Sequence, residues 1–199
     1  MQSKESSAIE LIRASGGIIR TIEAIEKGIH PRTLYSMRDK GVLIQLSRGV
    51  YQLFDDHVED VDLTVIATKI PKCVICLISA LSFHEITTQI PHAVSVALIK
   101  GAETPRLDFP PVNIYRFSDK PFHAGIESHE LGGVIIRVYC PEKTIADCFK
   151  FRNKIGVDIA LEALKLYKER KKFNIQALLK YAAVCRVENI MRPYLEALI

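Results

Sequence analysis

Apolar positions in the first third of the chain recur at intervals that shift from helical to strand-like. Ser6, Ser7 and Ala8 open a helical run that continues to Ala14, and Gly16-Gly17 breaks it. A second helix is predicted over residues 18–27, with Ile19, Ile22 and Ile25 three apart and Gly28 as its stop. Pro31 suits the first turn of a third helix, Leu34 and Met37 supply its buried side, and Gly41 closes it. Residues 42–46 and 50–53 then read as two short apolar strands around the tight turn Ser47-Arg48-Gly49. Three compact helices followed by a hairpin is the order of a winged helix-turn-helix.

After residue 54 the pattern changes. Phe54 is followed by five acids within the eight positions from Asp55 to Asp62, which marks a boundary between residues 1–54 and residues 60–199. Beyond it, residues 61–70 read as a helix stopped by Pro71, 73–78 as a buried strand, and 79–86 as a short helix capped by Ser79. Strands are predicted at 93–99, 112–117 and 133–139, with a further candidate at 126–131. Pro105, Pro110 and Pro111 mark a loop. From Pro141 the pattern is helical throughout, over 141–152, 157–170, 175–184 and 188–198. The predicted class is α+β: a winged helix-turn-helix, then a mixed α/β domain that ends in helices.

The third helix carries the candidate chemistry. At 100° per residue, Leu34 and Met37 bracket its buried direction, so Arg32, Ser36 and Asp39 face away, flanked by Tyr35 and Lys40. Guanidinium and short polar groups reach base edges, and charges at the borders meet phosphate. Arg48, at the hairpin tip, stands where a wing touches the DNA backbone or minor groove. The same side chains also suit a merely solvated face, and Tyr35 suits packing on its own domain.

Composition narrows the picture without choosing a function. The hydrophobic share is 48%, yet no apolar run approaches the ~20 residues that span a bilayer. The first seven residues hold no apolar stretch of signal-peptide type, so a cytoplasmic protein is expected. Residues 1–50 hold eight Lys/Arg against five Asp/Glu, residues 51–149 eight against thirteen, and residues 150–199 eleven against five. Basic ends around an acidic middle fit phosphate contact and fit charged surface helices equally well.

Five widely spread cysteines make no disulfide framework. Cys73 and Cys76 have CxxC spacing, but three positions along a strand point them to opposite faces, so they cannot converge on one metal ion. No metal or cofactor is expected. A Walker-type loop, GxGxxG and HExxH are all missing from the sequence. Ser82 and His84 are two apart and diverge on a helix. These points argue against an enzyme.

The helix beginning at Pro141 offers a second candidate surface. Thr144, Asp147, Lys150 and Lys154 lie three or four apart and share one side of a helix continuing to about residue 154, while Ile145, Cys148 and Phe149 form its core face. A stripe of one hydroxyl, one carboxylate and two ammonium groups suits a partner or a phosphate-bearing ligand. A solvated face accounts for it nearly as well.

These segments together resemble the AbiEi-type antitoxins and transcriptional regulators of type IV toxin–antitoxin (abortive infection) systems. The likeness runs through Ser15-Gly16-Gly17-Ile18, Arg32-Thr33-Leu34-Tyr35, Lys40-Gly41-Val42-Leu43 and Arg48-Gly49-Val50-Tyr51. It continues through Ser79-Ala80-Leu81-Ser82-Phe83-His84, Pro141-Glu142-Lys143-Thr144-Ile145-Ala146-Asp147 and residues 154–164. With Thr33 from the matching stretch, the DNA-contacting set becomes Arg32, Thr33, Tyr35, Ser36, Lys40 and Arg48. The resemblance implies double-stranded operator DNA as one partner, repression of the protein's own operon, and a nucleotidyltransferase-like toxin as the functional counterpart. Two other readings stay open on the residues alone: a ligand-responsive regulator without a toxin, and an enzyme targeted to nucleic acid.

Overall fold

Helix α1 (Gln2–Ala14) ends where the sequence predicts, because Gly16 and Gly17 turn the chain with φ of 82° and 78°. The next segment differs from expectation. Residues 18–20 form a strand, β1 (Ile18–Arg20), and only Thr21–Glu26 is helical, as α2. Ile18 and Ile19 are buried in the strand, while Ile22 and Ile25 are exposed at 61% and 51%. The threefold spacing of the isoleucines therefore spans two elements and is not one helical face. Helix α3 (Pro31–Asp39) comes next, then β2 (Leu43–Ser47) and β3 (Val50–Leu53).

β3 is the central strand of a three-stranded antiparallel sheet, order β1-β3-β2. Ile19 faces Tyr51 on one side, and Leu43 faces Leu53 on the other. A register shift between Gln45 and Ser47 bends β2 into the turn. Ala8 and Ile12 of α1, Leu34 and Met37 of α3, and Tyr51 and Leu53 of β3 close one apolar core. Three helices and the β2–β3 hairpin keep the predicted order, and β1 adds a third strand that the sequence reading lacks.

The remaining elements in chain order are α4 (Val61–Lys69), β4 (Val74–Ile75), α5 (Leu77–Phe83), β5 (Val94–Ile99), β6 (Val112–Phe117), α6 (Asp119–His123), β7 (Ile126–Leu131), β8 (Val134–Tyr139), α7 (Pro141–Lys150), α8 (Arg152–Ile155), α9 (Val157–Lys168), α10 (Ile175–Cys185) and α11 (Glu188–Glu196). The strand candidate at 126–131 is real. The strand predicted at 73–78 is cut to two residues, since Leu77 already starts α5 with φ of 47°. Helix α6 had no sequence signal, and the long helix from Pro141 is interrupted at Phe151.

This computed structural model describes residues 2–55, 60–131 and 133–197. Four residues of the acidic break, 56–59, lie outside the described residues. The chain divides into two compact units: Met1–Pro71 with Pro105–Pro111 and His129–Ile136, and Lys72–Thr104 with Val112–Ser128 and Arg137–Ile199. A five-stranded sheet has order β6-β5-β4-β8-β7, with β4 antiparallel to β5 and parallel to β8, and β5 parallel to β6. Helices α5, α7, α9, α10 and α11 build the second unit's core around Phe149, Leu81, Leu164 and Met191. Among the described residues, no helix is long and apolar enough to cross a membrane.

Candidate nucleic-acid interface

Helix α3 starts at Pro31, whose missing N–H costs nothing at a first turn. His30 caps it by accepting a hydrogen bond at Nδ1 from the Arg32 amide, at 3.1 Å. Leu34 and Met37 are fully buried and fix which face turns inward. That anchoring leaves Arg32, Tyr35, Asp39 and Lys40 exposed, with Thr33 and Ser36 half-buried. Arg48 is exposed in the β2–β3 turn. The six predicted side chains thus lie on α3, at its end and in the β2–β3 turn.

Several of these groups are tied within the first unit. Glu5 of α1 accepts from Lys40 Nζ at 2.5 Å and from Ser36 Oγ at 3.4 Å. The Lys40 hydrogen bond holds the Glu5 carboxyl below its ordinary range. Arg38 donates to Asp39 Oδ1 from Nε and Nη2, at 3.0 and 2.7 Å, and its guanidinium carbon sits 5.5 Å from the centroid of the Tyr35 ring. Tyr35 is therefore not packed on a core; it carries a stacked cation. Sequence reasoning passed over Arg38 because its angular position borders the buried side. Its long stem carries the head group past that border, the signal that would have found it. Glu5 was missed because it lies 31 residues from Ser36.

The second predicted set comes apart. Thr144 and Asp147 are fully buried, so they cannot meet a partner. Thr144 Oγ1 donates to the Tyr139 carbonyl at 3.1 Å. Asp147 accepts from Lys143 Nζ at 2.5 Å and from Cys185 Sγ at 3.2 Å. Burial pushes the Asp147 carboxyl above its ordinary range, against the opposing pull of Lys143. Lys143 is itself fully buried, with Nζ 4.1 Å from the Tyr139 ring centroid and 5.0 Å from that of Phe117. The physical reason is that α7 is covered on every side, residues 143–149 all being buried. Lys150 is half-buried at the end of α7, and Lys154 is exposed on the separate helix α8. Ile145, Cys148 and Phe149 are buried, as the spacing predicts.

The cysteines are free and buried. Burial raises the Cys73 thiol to about 12 and the Cys140 thiol to about 11, so neither is a ready nucleophile or ligand. Among the described residues, no group of three or more His, Cys, Asp or Glu is placed to hold a metal ion.

Residues 7–53 match the family model described as "Transcriptional regulator, AbiEi antitoxin". The resemblance read from the sequence thus holds over α1 to β3, the segment that carries the six predicted side chains. The crystal structure of the RV2827C protein from Mycobacterium tuberculosis is similar over 98% of this chain and 81% of its own, with a TM-score of 0.57 and 11% sequence identity. At that identity the likeness is one of fold. No curated protein matches this sequence.

Proposed function

We propose that the protein is a DNA-binding transcriptional regulator of the AbiEi antitoxin type, cytoplasmic, which represses its own operon and counteracts a nucleotidyltransferase-like toxin. The observation that carries this reading is α3: a short helix anchored by Leu34 and Met37 that presents Arg32, Thr33, Tyr35, Ser36 and Lys40, within the stretch that matches the regulator family. Arg32 and Ser36 read base edges, Lys40 meets phosphate once released from Glu5, and Arg48 on the wing contacts the backbone. No enzymatic step belongs to this reading. DNA recognition is assigned to residues 1–54 and the antitoxin role to residues 60–199.

Binding to the duplex upstream of its own coding sequence tests the first half. Arg32→Ala is expected to cost roughly 1–3 kcal/mol and relax sequence preference, whereas Arg48→Ala weakens all sequences alike. Wild-type affinity in the double variant, measured in a gel-shift series, rules the assignment out.

Growth protection tests the second half. Lys150 and Lys154 are the proposed partner contacts that remain outside the core. Lys150→Glu with Lys154→Glu is expected to lose protection against the product of a neighbouring nucleotidyltransferase-like gene while operator affinity and melting temperature hold. Full protection by that variant removes both lysines from the proposal.

A further inference from the structure

The turn of the wing is held from two sides. Thr21 donates from its backbone N–H to the Gly49 carbonyl at 3.0 Å, and Lys69 Nζ, from the end of α4, donates to the Arg48 carbonyl. Gly49 sits at φ of 71°, and a Cβ there would lie 3.3 Å from Thr21 Oγ1, so the turn is closely seated on α2. Arg20 pairs with Val50 in the β1–β3 ladder, one residue before Thr21 and next to the same turn. Three cations from three elements therefore gather at the wing: Arg20 from β1, Arg48 from the turn and Lys69 from α4.

Like charges placed together repel one another. Burial lowers the Lys69 ammonium and the charges of Arg20 and Arg48 lower it further, while Asp108 acts in the opposite sense. An ammonium has three N–H donors, and the Arg48 carbonyl takes one of them. The other donors and the two guanidinium forks match phosphate oxygens.

We infer that Arg20, Arg48 and Lys69 form a phosphate clamp at the wing, which grips the duplex backbone beside the groove that α3 reads. The inference rests on the DNA-binding reading of the first unit and extends it to α4, beyond the residues that match the regulator family. Lys69 acts twice in it: it sets the turn that carries Arg48, and it contributes its own charge.

The test uses the full-length protein, titrated across a salt series with the duplex upstream of its own coding sequence and with an unrelated duplex of equal length. Arg20→Gln reduces the slope of log K against log salt by about one and Lys69→Gln by about one or more, on both duplexes, and both leave the ratio of the two affinities unchanged. Lys69→Arg restores the slope. Wild-type protein that binds DNA, with neither glutamine variant moving the slope, overturns the clamp and leaves the DNA-binding reading standing. Wild-type protein that binds neither duplex overturns both. Should a glutamine variant fail to fold by circular dichroism, Asp108→Asn decides: tighter binding of both duplexes supports the clamp, and unchanged affinity overturns it.

Discussion

Asp147→Ala is expected to destabilise the protein by about 3–5 kcal/mol, because it strands the buried Lys143 ammonium without its counter-ion. Both side chains are fully buried, and Lys143 Nζ is held at 2.5 Å from Asp147 Oδ2. The ammonium cannot relax toward water, since Tyr139 and Phe117 cover it. Nor can its stem shift toward Gly125, where even an added Cβ would stand 2.8 Å from Lys143 Cβ. Replacing both members with apolar residues of similar size, Lys143→Met with Asp147→Leu, removes the desolvation cost along with the attraction. The double variant should come within about 1 kcal/mol of wild type or exceed it. Urea denaturation of the three proteins decides the matter. A loss below about 1 kcal/mol in Asp147→Ala would show that the pair is not a buried ionic contact.

That pair also shows where the sequence could be read and where it could not. The hairpin, the third helix and the strands at 112–117 and 126–131 were legible because apolar spacing and turn residues agreed locally. The core face of α7 was legible for the same reason, through Ile145, Cys148 and Phe149. Thr144 and Asp147 were misread as surface because local spacing reports which residues share a side, not how many sides are covered. Packing of α7 by α5, α9, α10 and α11 is a property of the assembled core. Similarly, β1 was read as helix because Ile19, Ile22 and Ile25 have helical spacing, while its pairing with β3 is set by residues far along the chain, as in Ile19 opposite Tyr51. Leu77 adopts a left-handed backbone that its own chemistry disfavours, and its complete burial in the second unit's core outweighs that cost. At the candidate interface, the exposed residues of the helix and the hairpin turn were visible one by one. The ties of Lys40 to Glu5 and of Lys69 to the Arg48 carbonyl join residues far apart in sequence, and no local pattern announces them.

Leu34→Ala is expected to cost about 2–5 kcal/mol and to abolish operator binding at growth temperature. Leu34 is fully buried at the centre of α3, against a core that also includes Ile12, Ile29, Met37 and Leu53. A core of this size has few neighbours able to collapse into the space a leucine leaves, so the cavity term adds to the transfer term. The side chain touches no DNA in the proposed mode, since it is fully buried and points opposite to Arg32 on the same helix. Lost binding would therefore come from loss of the fixed face and not from a missing contact. Leu34→Met, which preserves volume, should cost under about 1.5 kcal/mol and keep affinity. The salt dependence separates the two causes. At a temperature low enough to keep Leu34→Ala folded, its log K against log salt should run parallel to wild type, because Arg32, Lys40 and Arg48 are all retained. A shallower slope in folded Leu34→Ala would mean that the phosphate contacts themselves depend on this packing, and that α3 does not act as a rigid platform.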